Sequence, residues 1–177
     1  MTRADQLRFF LAHPPASLGG LVGAPDELPD YPFDGHGGDS IDAVFRLECP
    51  CGCDEFRSQG HAGEDGTLPP ITVTCEECGR ATVLFDPRLH GFDGAVGNNA
   101  GLHPTSGEPV DLQAEDNDEV ESPCALYVRF EYPTDLFGGG APPAWKGREQ
   151  ELYSWITLVG LMDELGELGT LFEYECA

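Results

Sequence analysis

The sequence predicts a mainly β, α+β protein: an antiparallel sheet with a cysteine-bearing hairpin module and one short N-terminal helix. Three observations carry this. Short runs rich in Val, Ile, Thr, Tyr and Phe recur between turn residues. The 23 glycines and 15 prolines punctuate the chain too often for long helices. Apolar residues make up 40% of the 177, enough for a real core and one ordinary domain, 1–177, with a small module inside it.

Residues 2–12 read as the helix. Thr2 and Asp5 fit a capping box, and Leu7, Phe10 and Leu11 share a face. Pro14 and Pro15 end it, because neither can donate a helical hydrogen bond. Residues 13–42, rich in Gly, Pro and Asp, read as irregular. A strand is expected over 43–49 (AVFRLEC), continued by a second short one at EFRS, and GHAGEDGTLPP reads as a turn-rich loop. ITVTC (71–75) and RATVLFD (80–86) then form a hairpin with CEECG at its tip. The stretch from Pro87 to Pro123 reads as a long punctuated segment, its second half holding seven acidic residues and no basic one. That run reads as a solvated loop, since DNDEVE lacks the ligand spacing and the glycine of a calcium loop.

CALYVRFEYP (124–133) alternates cleanly, with Leu126, Val128, Phe130 and Tyr132 on one face and Ala125, Tyr127, Arg129 and Glu131 on the other. ELYSWITLVGL is apolar on both faces and reads as a central strand, because Tyr153, Trp155, Ile156 and Thr157 favour extended backbone over helix. MDELGELG turns the chain, and TLFEYECA closes an antiparallel sheet spanning 124–176.

Five of the seven cysteines lie in two groups: Cys49, Cys51 and Cys53 in RLECPCGCDEF, then Cys75 and Cys78 in TVTCEECGRATVLFD. Gly52 follows Cys51 and Gly79 follows Cys78, so each turn can curl its amides toward sulfur. Two close pairs on two turns suit a tetrahedral four-thiolate metal site. These residues resemble a zinc ribbon over about 45–86, within a module spanning 43–88. The resemblance implies Zn2+ held by Cys75 and Cys78 with two of the first three cysteines. The first turn is C-x-C-G where the ribbon has C-x-x-C-G. Cys49 with Cys51 is the favoured pair, since Gly52 then matches Gly79; Cys51 with Cys53, and Cys49 with Cys53, stay open. An iron–sulfur cluster is a competing use of the same thiolates. Cys124 and Cys176 fall on apolar strand faces and read as small buried hydrophobes.

Thirty-two acidic residues face nine basic ones, a formal charge of −23, and Lys146 is the single lysine. Such a surface repels phosphate backbones and anionic membranes, and attracts a basic protein. Nucleic-acid binding would need Arg46, Arg57, Arg80 and Arg88 to form one basic face. No apolar stretch reaches the roughly 18 residues of a membrane span, and no signal peptide is visible, so the expected compartment is the cytoplasm. The resulting expectation is a zinc-binding, non-enzymatic interaction protein, immunity- or adaptor-like, with a basic protein as partner.

The alternative is a small enzyme using histidine–aspartate loops: His90 with Asp93 in LHGFDG, and His36 with Asp34 and Asp39 in FDGHGGD, with the metal module as scaffold. It requires a concave pocket in which His36, His90 or His103 meets aspartates. A zinc-deaminase reading of His61, Glu64 and the later CEEC fails, because the motif wants H-x-E and a proline before the first cysteine, where this chain has H-x-x-E and Thr74.

Overall fold

The computed structural model describes residues 1–23, 40–63, 66–103, 105, 107–113, 123–161 and 168–176. The chain is mainly antiparallel β-sheet with one N-terminal helix, as its patterning predicts.

Helix α1 is Arg3–Ala12. The Thr2 hydroxyl accepts the Asp5 amide at 3.2 Å while the Asp5 carboxylate accepts the Thr2 amide at 3.2 Å, so the capping box forms. The inward face is Gln6 and Phe10, one helical turn apart. Phe10 stacks on Tyr132 with ring centroids 3.6 Å apart. Leu7 packs partly against the core, whereas Leu11, expected on the same face, is 43% exposed. It lies about 100° around the helix from Phe10.

One part of the sheet is β1 (Ser40–Arg46), β6 (Cys124–Pro133), β7 (Trp155–Leu161) and β8 (Leu168–Glu175), paired in that order. The other is β4 (Ala81–Phe85), β3 (Gly66–Cys75) and β2 (Glu55–Gly63), with β5 (Pro109–Asp111) on the far edge of β2. The parts join where Glu55 and Phe56 pair with Ala125 and Cys124. β1 and β2 thus run end to end along one edge of β6, and the first cysteine turn sits between them. From the two sheet ends, Phe85 of β4 meets Tyr174 and Phe172 of β8 at centroid distances of 5.0 and 6.0 Å. One hydrophobic core runs through both parts.

Two expectations change. GHAGEDGTLPP was expected as a loop, yet β2 runs through Gly63 and β3 starts at Gly66. Its glycines and prolines serve pairing here. A Cβ on Gly60 would meet Thr67 Cγ2 at 2.3 Å, so only glycine lets the strands approach. Pro69 and Pro70 face the bulge between Gln59 and His61, where no ladder partner needs their missing N–H. Second, the segment after Pro87 contains helix α2 (Gly91–Val96) as well as β5. Tertiary hydrogen bonds hold α2: Phe92 N–H donates to the Tyr153 carbonyl at 2.9 Å and Asp93 N–H to the Cys176 carbonyl at 2.8 Å. Both faces of β6 are buried. Arg129 and Glu131 are only 3% and 7% exposed. Arg129 donates Nε and Nη2 to Asp42 Oδ1 at 3.1 and 2.8 Å, and Nη2 to Glu131 Oε2 at 2.9 Å. No described helix is long and apolar enough to cross a membrane.

Cutting this ion triad leaves two carboxylates uncompensated. Arg129→Ala is expected to cost about 3 kcal/mol, the lower end for removing one partner of a buried pair, because Asp42 keeps partial access to water. A urea unfolding midpoint unchanged from the parent would contradict it.

Candidate metal centre

The first turn leaves β1 with Leu47 N–H donating to the Leu126 carbonyl and Glu48 N–H to the Leu21 carbonyl. It then closes on itself: Cys49 N–H donates to the Cys53 carbonyl at 2.8 Å and Gly52 N–H to the Cys49 carbonyl at 2.7 Å. The second turn caps the β3–β4 hairpin, with Cys75 N–H on the Arg80 carbonyl and Gly79 N–H on the Cys75 carbonyl, both at 3.0 Å. Gly52 (φ +93°) and Gly79 (φ +68°) occupy left-handed backbone that a side chain would strain. A crosslink fastens one turn to the strand that follows the other: Glu76 N–H donates to the Glu55 carbonyl at 3.1 Å.

These constraints bring four sulfurs together. Cys49 Sγ lies 3.5 Å from Cys78 Sγ, and Cys51 Sγ lies 3.6 Å from Cys75 Sγ. The four sulfurs all lie within 4.8 Å of one another, and the group could hold a metal ion. Four thiolates around zinc at ~2.3 Å define a tetrahedron with edges of about 3.8 Å, close to these separations. The separations also far exceed the ~2.05 Å of a disulfide. Cys49 and Cys75 are buried in the core, whereas Cys51 and Cys78 face solvent.

Backbone amides complete the set. The backbone N–H groups of Cys51, Cys53 and Cys78 favour the thiolate forms of Cys49, Cys51 and Cys75 respectively. Four adjacent thiols cannot all ionise without a cation among them. Cys75 is lowered to about 6, first by the Cys78 N–H and then by donation from the neighbouring thiols. Cys51 is pushed up to about 12: the Cys53 N–H favours its thiolate, but Cys49, burial and Cys75 outweigh it. A divalent cation would relieve that conflict by holding all four as thiolates.

The Cys53 sulfur stands outside this group and donates to the Glu55 carbonyl at 3.4 Å. Its backbone N–H nevertheless acts on the site, favouring the Cys51 thiolate. At the sequence level Cys53 stands only as a possible sulfur ligand, since residue type carries no signal for an amide that any residue there would supply.

His90 and Asp93 do not form a base–carboxylate pair. The Asp86 amide donates to His90 Nδ1 at 2.9 Å, and the Asp93 carboxylate accepts Asn98 Nδ2 at 2.7 Å. Burial lowers the His90 pKa, and the nearby Asp86 carboxylate only partly offsets this. Asp86 is itself held below the usual carboxylate range by a bidentate bond from Arg88, at 3.0 and 2.6 Å. His103 does line an open pocket with Asp86, Arg88, Tyr174 and Leu102. His61 Nδ1 lies 2.9 Å from the Gly107 carbonyl. His36, Asp34, Asp39 and Glu64 lie outside the described residues.

The four arginines near the module are each engaged. Arg46 bonds Asp54, Arg57 lies 3.7 Å from Glu76, Arg88 holds Asp86, and Arg80 donates to the Gly19 carbonyl at 3.2 Å. Cys124 and Cys176 are buried, 5% and 3% exposed, and burial pushes the Cys176 thiol up.

The His90 environment generates a prediction. Its pKa is depressed on folding, so the unfolded chain binds more protons below about pH 6.5. Stability should be fully present above that pH and fall as pH drops below it. His90→Asn, which keeps an acceptor for the Asp86 amide, should flatten this part of the profile in urea titrations. An unchanged profile would refute the assignment. No family model matches this chain, and no curated protein or solved structure matches it.

Proposed function

We propose that the chain is a zinc-binding, non-enzymatic, strongly acidic protein that acts through protein interaction, as an immunity- or adaptor-like module for a basic partner. The observation that carries the zinc part is the convergence of Cys49, Cys51, Cys75 and Cys78 within 4.8 Å. An all-thiolate, near-tetrahedral donor set suits zinc, and a four-thiolate zinc has no open position for substrate. Its role is therefore architectural: it ties the β1–β2 turn to the β3–β4 turn, and metal binding becomes folding free energy. Support for the partner comes from the charge of −23, which favours fast, salt-sensitive encounter with a cationic surface. The carboxylates that engage Arg46, Arg57 and Arg88 weigh against a phosphate-binding face.

Elemental analysis with native mass spectrometry is expected to find one zinc per chain. Cys75→Ser should lose the metal and lower the melting temperature, whereas Cys53→Ser should keep both. Iron in place of zinc, or no metal, would overturn the reading. For the partner, capture from cells followed by washes of rising salt should release a basic protein at roughly 0.5 M salt, where screening reaches a few ångströms. Recovery of acidic proteins alone would reject this part.

A further inference from the structure

The two close sulfur pairs share a pattern that a structural zinc site does not require. Each joins one buried and one exposed cysteine, and each crosses between the two turns: Cys49 with Cys78 and Cys51 with Cys75. Backbone bonds also tie the two turns to each other. The Glu76–Glu55 hydrogen bond and the β2–β3 pairing of Phe56 with Cys75 fasten one to the other. The sulfurs would therefore stay opposed if a cation left. The rim is acidic, with Glu48, Glu55, Glu76 and Glu77 all exposed, so it disfavours anionic reagents and leaves neutral ones unhindered.

We propose that this centre is a peroxide-reactive site, in which oxidation closes the disulfides Cys49–Cys78 and Cys51–Cys75 and releases the metal. It rests on the zinc reading above. The oxidant is a small neutral peroxide. An exposed thiolate, Cys78 or Cys51, attacks one peroxide oxygen. The O–O bond breaks, the sulfur becomes a sulfenic acid, and the other oxygen leaves as hydroxide and is protonated to water. The buried thiolate across the gap then attacks the sulfenyl sulfur. The S–S bond forms, the S–O bond breaks, and the second hydroxide takes a proton to become water. Two such events oxidise four thiolates, reduce two peroxides to four waters, consume four protons and free one zinc ion. Each sulfur pair closes from about 3.5 Å to ~2.05 Å, a small movement for exposed turns.

The test uses the zinc-loaded chain and two equivalents of hydrogen peroxide. Released zinc is read with a chromogenic indicator. Trypsin under non-reducing conditions cleaves after Arg46, Arg57 and Arg80, placing Cys49, Cys51 and Cys53 on peptide 47–57 and Cys75 and Cys78 on peptide 58–80. The expected product is these two peptides joined and four hydrogens lighter, with Cys53 still open to alkylation. One zinc should appear for two peroxides consumed, and dithiothreitol with zinc should reverse both changes. Cys78→Ser should still give the joined peptides through Cys51–Cys75, two hydrogens lighter. Retained zinc, or separate peptides carrying disulfides within each turn, would overturn the proposal. A chain that takes up no zinc before oxidation would overturn the metal release together with the reading beneath it. The peptide map of that metal-free chain would then accept or reject the cross-turn pairing alone.

Discussion

The join between Glu55–Phe56 and Cys124–Ala125 is the constraint on which the rest depends. β6 carries β1 along most of one edge, then hands that edge to β2 for two residues. The chain between β1 and β2 must turn within a few residues and stay at the sheet surface. The turn that does so carries three cysteines, and Phe56, immediately beyond it, pairs with Cys75 on the next strand. Sheet pairing therefore brings the second turn to the first. The sulfurs meet because the strands do, and the core that includes Cys49 and Cys75 seals the inner half of the group.

Electrostatics shapes what this arrangement can do. Four thiolates around one divalent cation would leave two negative charges in a chain already at −23. Arginine does little to offset them: Arg46 and Arg57 are engaged with Asp54 and Glu76. The compensation comes from backbone: the N–H groups of Cys51, Cys53 and Cys78 favour charge on the sulfurs of Cys49, Cys51 and Cys75. Such dipoles are fixed by the turns and lose nothing to side-chain freedom. The Arg129–Asp42–Glu131 triad follows the opposite rule, with one buried guanidinium answering two carboxylates inside the sheet.

The histidine–aspartate loops show how composition misleads where geometry decides. His90 and Asp93 are three residues apart and look poised to pair. Helix α2 starts between them, and the backbone claims both regions: His90 Nδ1 takes an amide, and the Asp93 amide goes to Cys176. His103, the other described candidate, lines one open pocket with Asp86 and Arg88, whose carboxylate and guanidinium bond each other.

Much of the fold was legible in the sequence. The capping box of α1, the CEECG hairpin, the alternation of β6 and the apolar run of β7 each rest on local periodicity or turn chemistry, which act over a few residues. The convergence of two cysteine pairs was legible too, because glycine after each pair allows only a narrow set of turns. What the sequence could not decide depended on distant partners. The strands hidden in GHAGEDGTLPP form because β2 and β3 find each other at a glycine and tolerate two prolines at a bulge. The burial of Arg129 and Glu131 requires Asp42, some 87 residues away. The exclusion of the Cys53 sulfur follows from the direction its turn gives it toward the Glu55 carbonyl. Spacing determined that thiols would gather; only strand pairing decided which four of the five do so.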